Sequence, residues 1–364
     1  MSVTTESPGA CRGRNSSGLA SSLRIRIASG EFPAGEYLPT VRDLSEEHGV
    51  SRETVRRAVK SLEGEGLVAA EARHGYRVLA TGNDPERGLP VAFAVSVPPS
   101  PGLWSEFNQM LFAALHCAAA ERGWLVLAVS AERGGGELAA QLSECRASGI
   151  VLDTMSPDLL DTVEELGLPA VMIDSWDPAM RLDAVVQDGF QGALLAARYL
   201  AKRGHRRIGW LGPITEGVQS QERFGGAVAG LCSAGIELVP ELLRDTPRAE
   251  VREAARRMLS RPDRPGAVLA LWHGAAAALV AAAGELGLRL GRDLEMVGWT
   301  PEEQYETVYR AVLGNAPRPA TMVWNCAETA RVAIARLAER RAAPEAGTVL
   351  VKVPMRMVDA EELS

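Results

Sequence analysis

The apolar positions of this chain change their period along its length, and the change divides it in two. From Leu19 they recur at helical spacing, with Leu19, Leu23 and Ile27 on one face and Ile25 and Phe32 beside it. Gly30 ends that run, and Pro33-Ala-Gly35 makes a loop. Thr40 is placed to cap a second helix, TVRDLSEEHG, stopped by Gly49. Ser51 is placed to cap a third, SRETVRRAVKSLEGEG, with Val55, Val59 and Leu62 facing inward. LVAAEARHGYRVLA then reads as two short strands around a turn containing Gly75. Three short helices followed by a hairpin predict a winged helix-turn-helix over 17–80, an α+β unit.

Residues 80–90, ATGNDPERGLP, are polar with Gly and Pro, which sets a linker at 81–90. Beyond it, short apolar runs alternate with amphipathic stretches. The runs are Val91–Val97, Leu125–Val129, Ile150–Leu152, Ala170–Ile173, Ile208–Leu211, Ala267–Leu271 and Glu295–Trp299. Helical patterns lie near 105–122, 136–147, 157–167, 189–204, 221–235, 248–260, 274–287 and 326–341. Such alternation predicts parallel sheets with helices on both faces. About eleven strands are too many for one sheet, so 91–364 is expected to form two lobes with a cleft between them.

Composition changes this picture in one respect. The 364 residues carry a net charge of −7, which argues against DNA binding if taken globally. Residues 1–80, however, hold eleven Lys/Arg against ten Asp/Glu, so the acidic excess belongs to the rest. Local clustering decides, because a nucleic acid meets a patch and not an average. The five cysteines (Cys11, Cys117, Cys145, Cys232, Cys326) are far apart and odd in number. They read as free thiols in a reducing cytoplasm, with no zinc site and no other cofactor expected. No apolar run is long enough for a membrane span. The first residues lack the apolar core of a signal peptide, so 1–16 is expected to be a disordered tail.

The third helix concentrates charge. Over its first ten residues, 51–60, Arg52, Arg56, Arg57 and Lys60 stand against one acid, Glu53. Arg52 and Arg56 share a face opposite Val55 and Val59, so Ser51, Arg52, Thr54 and Arg56 line the front of the first turns. Arginine pairs bidentately with guanine in the major groove, and the N-terminal turns of a recognition helix reach it. Arg42 would lie near a phosphate, and Arg73 and His74 flank Gly75 at the hairpin tip. Charge alone leaves open a merely solvated face. The segment from Ile27 to Val78 resembles a GntR-family DNA-binding domain. The matches include Gly35, Leu38, Pro39, Arg42, Leu44, Gly49, Val50, Ser51, Arg52, Thr54, Val55, Arg56, Ala58, Leu62, Gly66, Leu67 and Gly75. Ala34 departs from the usual loop residue. The resemblance implies that Arg42, Ser51, Arg52, Thr54, Arg56, His74 and Gly75 contact DNA, as a homodimer on a pseudo-palindromic operator.

The stretch DAVVQDGFQGALLAARYLAKRGHRRIGWLG resembles the middle of a LacI-type, periplasmic-binding-protein-like sensor domain through Asp183, Val185, Asp188, Gly192, Ala193, Gly204, His205, Ile208 and Gly212. Arg223, Gly226 and Gly235 extend the likeness, as do Gly287, Asp293, Val297 and Gly298. A GntR-type head on such a domain is similar to the arabinose-repressor subgroup. The resemblance implies a small-molecule effector, carbohydrate in class (a sugar or glycoside), gripped by Arg223; the plain alternative is a surface ion pair with Glu222. Trp176 and Trp272 follow strands, where open α/β sheets bind ligands, although a Trp there more often packs than serves as a stacking platform. The chain departs from the LacI pattern at Trp272-His273, where the family has Asn-Asp, and at Thr300, where it has Asp. The candidate ligand residues are therefore Arg223, Trp176, Trp272, His273 and Thr300, with a cleft altered from the sugar-binding type.

Catalytic spacings are missing. His48, His74, His116, His205 and His273 stand apart, with no HExxH and no GxSxG. Arg133-Gly-Gly-Gly136 lacks a following GK[ST], and the paired acids Glu164-Glu165 and Glu302-Glu303 point to different helix faces. The expectation is a non-enzymatic regulator. A DNA-binding domain fused to an enzyme, or a DNA-binding protein with a degenerate sensor, are the alternatives.

Overall fold

The structure is a computed structural model that describes residues 16–28, 31–64, 66–71, 74–79, 88–96, 104–153, 156–314 and 318–359. The expected tail up to residue 15, most of the linker (81–87), Gly30, Arg73 and Val97 lie outside the described residues. The head consists of α1 (Ser16–Ala28), α2 (Val41–His48), α3 (Arg52–Gly64) and the antiparallel hairpin β1 (Val68–Glu71) and β2 (Gly75–Val78). Its local signals act as expected. Thr40 Oγ1 accepts from Asp43 N while the Asp43 carboxylate accepts from Thr40 N, a capping box that satisfies two orphan donors. Gly49 closes α2 in the left-handed region at φ 62°. Leu19, Leu23, Leu44, Val55, Val59, Leu62, Val68 and Val78 form one buried core, with Val50 packed at its margin.

The remaining chain folds as two lobes. Lobe I holds β3 (Pro90–Val95), α4 (Glu106–Ala120), β4 (Leu125–Ser130), α5 (Gly135–Glu144), β5 (Gly149–Asp153), α6 (Pro157–Leu166), β6 (Ala170–Ile173) and β7 (Asp183–Gln187). The chain then enters lobe II through α7 (Gly189–Lys202), β8 (Ile208–Leu211), α8 (Val218–Ser233), α9 (Val251–Leu259), β9 (Ala267–Ala270), α10 (His273–Glu285), β10 (Glu295–Pro301), α11 (Tyr305–Leu313) and β11 (Ala320–Trp324). It returns through α12 (Cys326–Ala342) to β12 (Leu350–Val353), and ends in β13 (Arg356–Val358) back in lobe II. The sheet of lobe I has the order β12-β7-β6-β5-β3-β4 and that of lobe II β13-β11-β10-β9-β8. All neighbours are parallel except β13, which runs against β11. In lobe I, α4 and α12 cover one face and α5 and α6 the other; in lobe II, α7 and α8 oppose α9, α10 and α11. Each sheet is thus buried on both sides, which explains why its strands read as short unbroken apolar runs.

Three segments cross between the lobes: β7 to α7, β11 to α12, and β12 to β13. Gln191 staples the last of them, its amide donating to Met355 O and its carbonyl accepting from Met355 N, both at 3.2 Å. The expected sheet runs are present with ends shifted by a residue or two, but β7, β11, β12, β13 and α11 were absent from the explicit runs. β12 and β13 are too short for a periodic signal, and their partners are remote in sequence. No helix among the described residues is long and apolar enough to cross a membrane.

Candidate functional site

The front of the head is built by α3. Ser51 Oγ accepts from Thr54 N at 3.1 Å, fixing the start of the helix, and lies 2.9 Å from Thr54 Oγ1. Val55, Ala58, Val59 and Leu62 bury the opposite side, so Arg52 and Arg56 are turned to solvent. Their local tethers are weak. Glu53 lies 3.9 Å from Arg56 and 3.4 Å from Arg57, and Arg42 on α2 is 3.0 Å from Glu46, all between well-exposed side chains. Exposed pairs of this kind contribute roughly 0–1 kcal/mol, so a phosphate or base edge competes easily. At the wing, Gly75 has φ +100° and nothing within 4 Å of where a Cβ would sit, leaving an open, left-handed tip. His74 beside it has its ring 5.9 Å from that of Tyr37. The predicted head residues thus fall on two exposed elements, helix α3 with Arg42 behind it, and the hairpin tip.

In the sensor domain the structure buries Arg223, only 8% exposed, in the second turn of α8. Its Nη1 donates to Leu271 O at 3.2 Å, its guanidinium carbon lies 5.7 Å from the Trp324 ring centroid, and its Nε has no partner among the described residues. Burial lowers its pKa to about 10, with Asp174 opposing that fall, so it remains a cation at neutral pH. The alternative pairing with Glu222 does not form as a salt bridge; Glu222 is bound to Lys352 at 2.5 Å. Thr300, near the end of β10, is buried with Oγ1 unpartnered among the described residues. Trp272 caps α10, half-buried, with the Arg248 guanidinium carbon 5.0 Å from its ring centroid. His273 opens α10; burial pushes its pKa down, with Glu106 of lobe I raising it and Arg248 lowering it further. Trp176 packs against Leu160, Met172 and Ala184 on the α6 side of lobe I, with its Nε1 buried and without a partner among the described residues.

Several residues on the lobe I side of the cleft were missed, of which Asp174 is the one that acts on Arg223. Asp153, Asp174 and Gln187 stand at or just beyond the ends of β5, β6 and β7, three successive strands. Asp174 adopts φ 57°, a left-handed conformation that aspartate tolerates but that costs some strain. Burial raises the pKa of Asp174, with Arg223 and the Gln219 and Gln187 amides opposing it. Burial raises that of Asp153 well above normal, the charge of Asp174 adds to this, and a 2.8 Å hydrogen bond from Asn108 Nδ2 opposes it. Phe107 of lobe I meets Trp324 of lobe II edge-on, ring centroids 6.4 Å apart. The signal was in the sequence: GIVLD, AVMID and AVVQ each finish an apolar run with a polar side chain at the carboxyl end, where open α/β sheets bind ligands.

Comparison with known proteins agrees with this division. The family described as bacterial regulatory proteins, gntR family, matches residues 15–78, and the periplasmic binding protein-like domain matches residues 197–359. The HTH-type transcriptional repressor PurR of Pectobacterium atrosepticum is 26% identical over 282 residues, covering 72% of this chain and 80% of that protein. PurR of Klebsiella pneumoniae is 32% identical over 168 residues, 44% of this chain; the match spans about half (49%) of that relative's length. Among solved structures, a transcriptional regulator CelR–cellobiose complex superposes with a TM-score of 0.61 at 21% identity, covering 88% of this chain and 98% of that one. A LacI family regulator from Enterococcus faecium with bound ribose gives 0.59 at 18% identity, covering 74% and 97%. At such identities the likeness establishes the fold. The chain therefore joins a GntR-family winged helix-turn-helix to a periplasmic-binding-protein-like domain of the kind found in PurR and LacI-family repressors.

Proposed function

We propose that this protein is a transcriptional repressor that binds operator DNA through α3 and the wing, and that a small molecule bound between the lobes sets its DNA affinity. The observation that carries the reading is Arg223: a buried guanidinium with an unpartnered Nε, set between Asp174 of lobe I and Leu271 of lobe II. A buried donor without a partner costs free energy, and a ligand that accepts from it recovers that cost. We assign DNA contacts to Arg42, Ser51, Arg52, Thr54, Arg56, His74 and Gly75, and ligand contacts to Arg223, Trp272, His273 and Thr300. The protein acts in the cytoplasm as a homodimer that places two recognition helices about one helical turn apart. It performs no chemical turnover. Helix α4 supplies the coupling. Its first turn carries Phe107 and Asn108 at the cleft, while Phe112, His116 and Cys117 line a cavity of about 620 Å³ together with Arg24 of α1 and Arg57 of α3. A ligand that shifts α4 alters the seat of the head, and repression is relieved. The coupling available to such a ligand is about 1–3 kcal/mol.

Fluorescence anisotropy on a labelled fragment from upstream of the gene tests this reading, with and without a pool of sugars and glycosides that includes cellobiose and ribose. Arg56→Ala should weaken binding by about 1–3 kcal/mol and relax base preference. Arg223→Ala should keep DNA binding and lose the ligand response. Equal loss of DNA affinity in both variants would refute the division of labour. Tight binding unmoved by any ligand would mark a sensor that no longer senses.

A further inference from the structure

The cleft is acidic on one side, and the charges there do not balance. Asp153 and Asp174 end neighbouring strands and repel each other, while Arg223 is the cation that faces Asp174. Asp153 receives a neutral amide hydrogen bond from Asn108. Arg248 beside Trp272 acts on Arg223 and not on either carboxylate, so Asp174 faces one guanidinium and Asp153 none, in a partly buried site where an uncompensated charge is costly.

The unused hydrogen-bonding groups point the same way. Asp174 Oδ1 has no partner among the described residues. Neither does Gln187 Oε1, on a side chain only 3% exposed whose amide neighbours Asp174. Asp153 is only partly covered and keeps acceptor capacity beyond the Asn108 bond. These three groups are all acceptors; the Nε1 donors of Trp104 and Trp176 in the same lobe are unpartnered too. A hydroxyl offers the acceptors one hydrogen and no charge, so one carboxylate would have to keep its own proton. An alkylammonium offers three N–H donors and the missing positive charge.

Resting on the reading of this cleft as the effector site, we infer that the effector carries a protonated amine, seated against Asp153, Asp174 and Gln187. Its uncharged part lies toward Arg223, Trp324 and Phe107, where the aromatic rings supply an apolar wall. Aminosugars and short polyamines have this chemistry; a plain neutral sugar lacks it.

Matched pairs of probes decide the matter on the full-length protein: glucosamine with glucose, putrescine with 1,4-butanediol, and ethanolamine with ethylene glycol, each at millimolar concentration. Thermal shift and calorimetry should find at least one amine that stabilises and binds roughly tenfold or more tightly than its hydroxyl partner, the ratio expected for a charge-assisted hydrogen bond. In Asp153→Asn that preference should disappear while the ligand-free protein melts no earlier than the wild type, because a like-charge repulsion has been removed. Should that variant fail to fold, the wild-type ratios stand as the test. Hydroxyl partners binding as well as amines, no amine binding at all, or stabilisation by calcium chloride alone would each overturn the inference. The failures are separable. Neutral sugars that release DNA without any amine preference would leave the regulator and sink the amine; an amine that binds without changing DNA affinity would do the reverse.

Discussion

Asp183 is the most strongly tied carboxylate in the molecule, and removing its charge is the clearest test of how the lobes are framed. It opens β7 with its side chain wholly buried. Arg340 grips it with two bonds, Nε to Oδ2 at 2.8 Å and Nη2 to Oδ1 at 2.9 Å. Arg336 Nη2 donates at 3.1 Å, and Val349 N at 2.7 Å. One carboxylate thereby locks α12, the returning crossover, to the edge where β7 meets β12. In Asp183→Asn the two guanidiniums remain, their side chains only 12–13% exposed, so solvent screens them little. Breaking a buried ion cluster from one side costs about 3–5 kcal/mol. For a domain of this size that lowers Tm by roughly 10 °C. The pH dependence has the matching sign. Burial pushes the Asp183 pKa up, but the Arg340 and Arg336 bonds and the Val349 amide outweigh it and hold it below normal. The stabilisation is complete above the unfolded value of about 4 and is lost as pH falls through the lower folded value. Differential scanning calorimetry of wild type and Asp183→Asn at neutral pH and near pH 3 measures both effects. A neutral-pH Tm change within experimental error, or a wild type whose advantage over the variant grows toward low pH, would refute the argument.

Three further outcomes follow from single contacts. Thr40→Ala removes one half of the α2 capping box and should cost the head about 0.5–2 kcal/mol, seen as earlier melting of the head with the sensor transition unmoved. Gly226→Ala would place a Cβ 2.1 Å from Phe190 O where α7 and α8 cross; since backbone cannot yield as a side-chain tip does, calorimetry should show a loss of about 1–3 kcal/mol or more, borne by lobe II. Partial desolvation lowers the pKa of the solvent-exposed His273, Glu106 opposes the shift and Arg248 adds to it, so the imidazole contributes a small loss of stability as pH falls below the unfolded value of about 6.5. His273→Gln should flatten that decline in denaturant titrations at about pH 7.5 and 5.5, and an unchanged slope would show the imidazole to be irrelevant.

What could be read from the sequence was what neighbouring residues settle among themselves. Thr40 with Asp43, Gly49 after α2 and Ser51 with Thr54 are separated by a few positions, and the head follows from them. The apolar runs of the central strands are legible for the same reason: both faces of each sheet are covered, so the middle of each strand is mostly apolar on both sides. Long-range pairing was not legible. β12 finds its register against β7, Leu350 opposite Ala184, and nothing within LVKV announces it. The acid–arginine cluster at Asp183 joins positions more than 150 apart. Glu222 follows the same rule: adjacency suggested Arg223 as its partner, yet helix geometry turns neighbours to different faces and delivers Glu222 to Lys352. Trp176 follows a strand end, as a ligand wall would, and the chain there turns toward α6 and packs it against Leu160, Met172 and Ala184.

The same contrast bears on the cleft. Compared with the LacI pattern, lobe II lacks acids at Trp272-His273 and at Thr300, and by that measure the site looks stripped of its grip. The structure places acids on the other side, at the ends of β5 and β6 in lobe I, with Asp174 acting on the buried Arg223 of lobe II. The arrangement has a consequence for closure. With Asp153 and Asp174 on one lobe and Arg223 on the other, attraction across the gap is only partly used: one carboxylate is matched and one is left over. The unpartnered Arg223 Nε is a donor left unused in the ligand-free contact between lobes. On the proposed reading, a ligand that satisfied it in one arrangement of the lobes and not in another would have the differential affinity that a molecular switch requires.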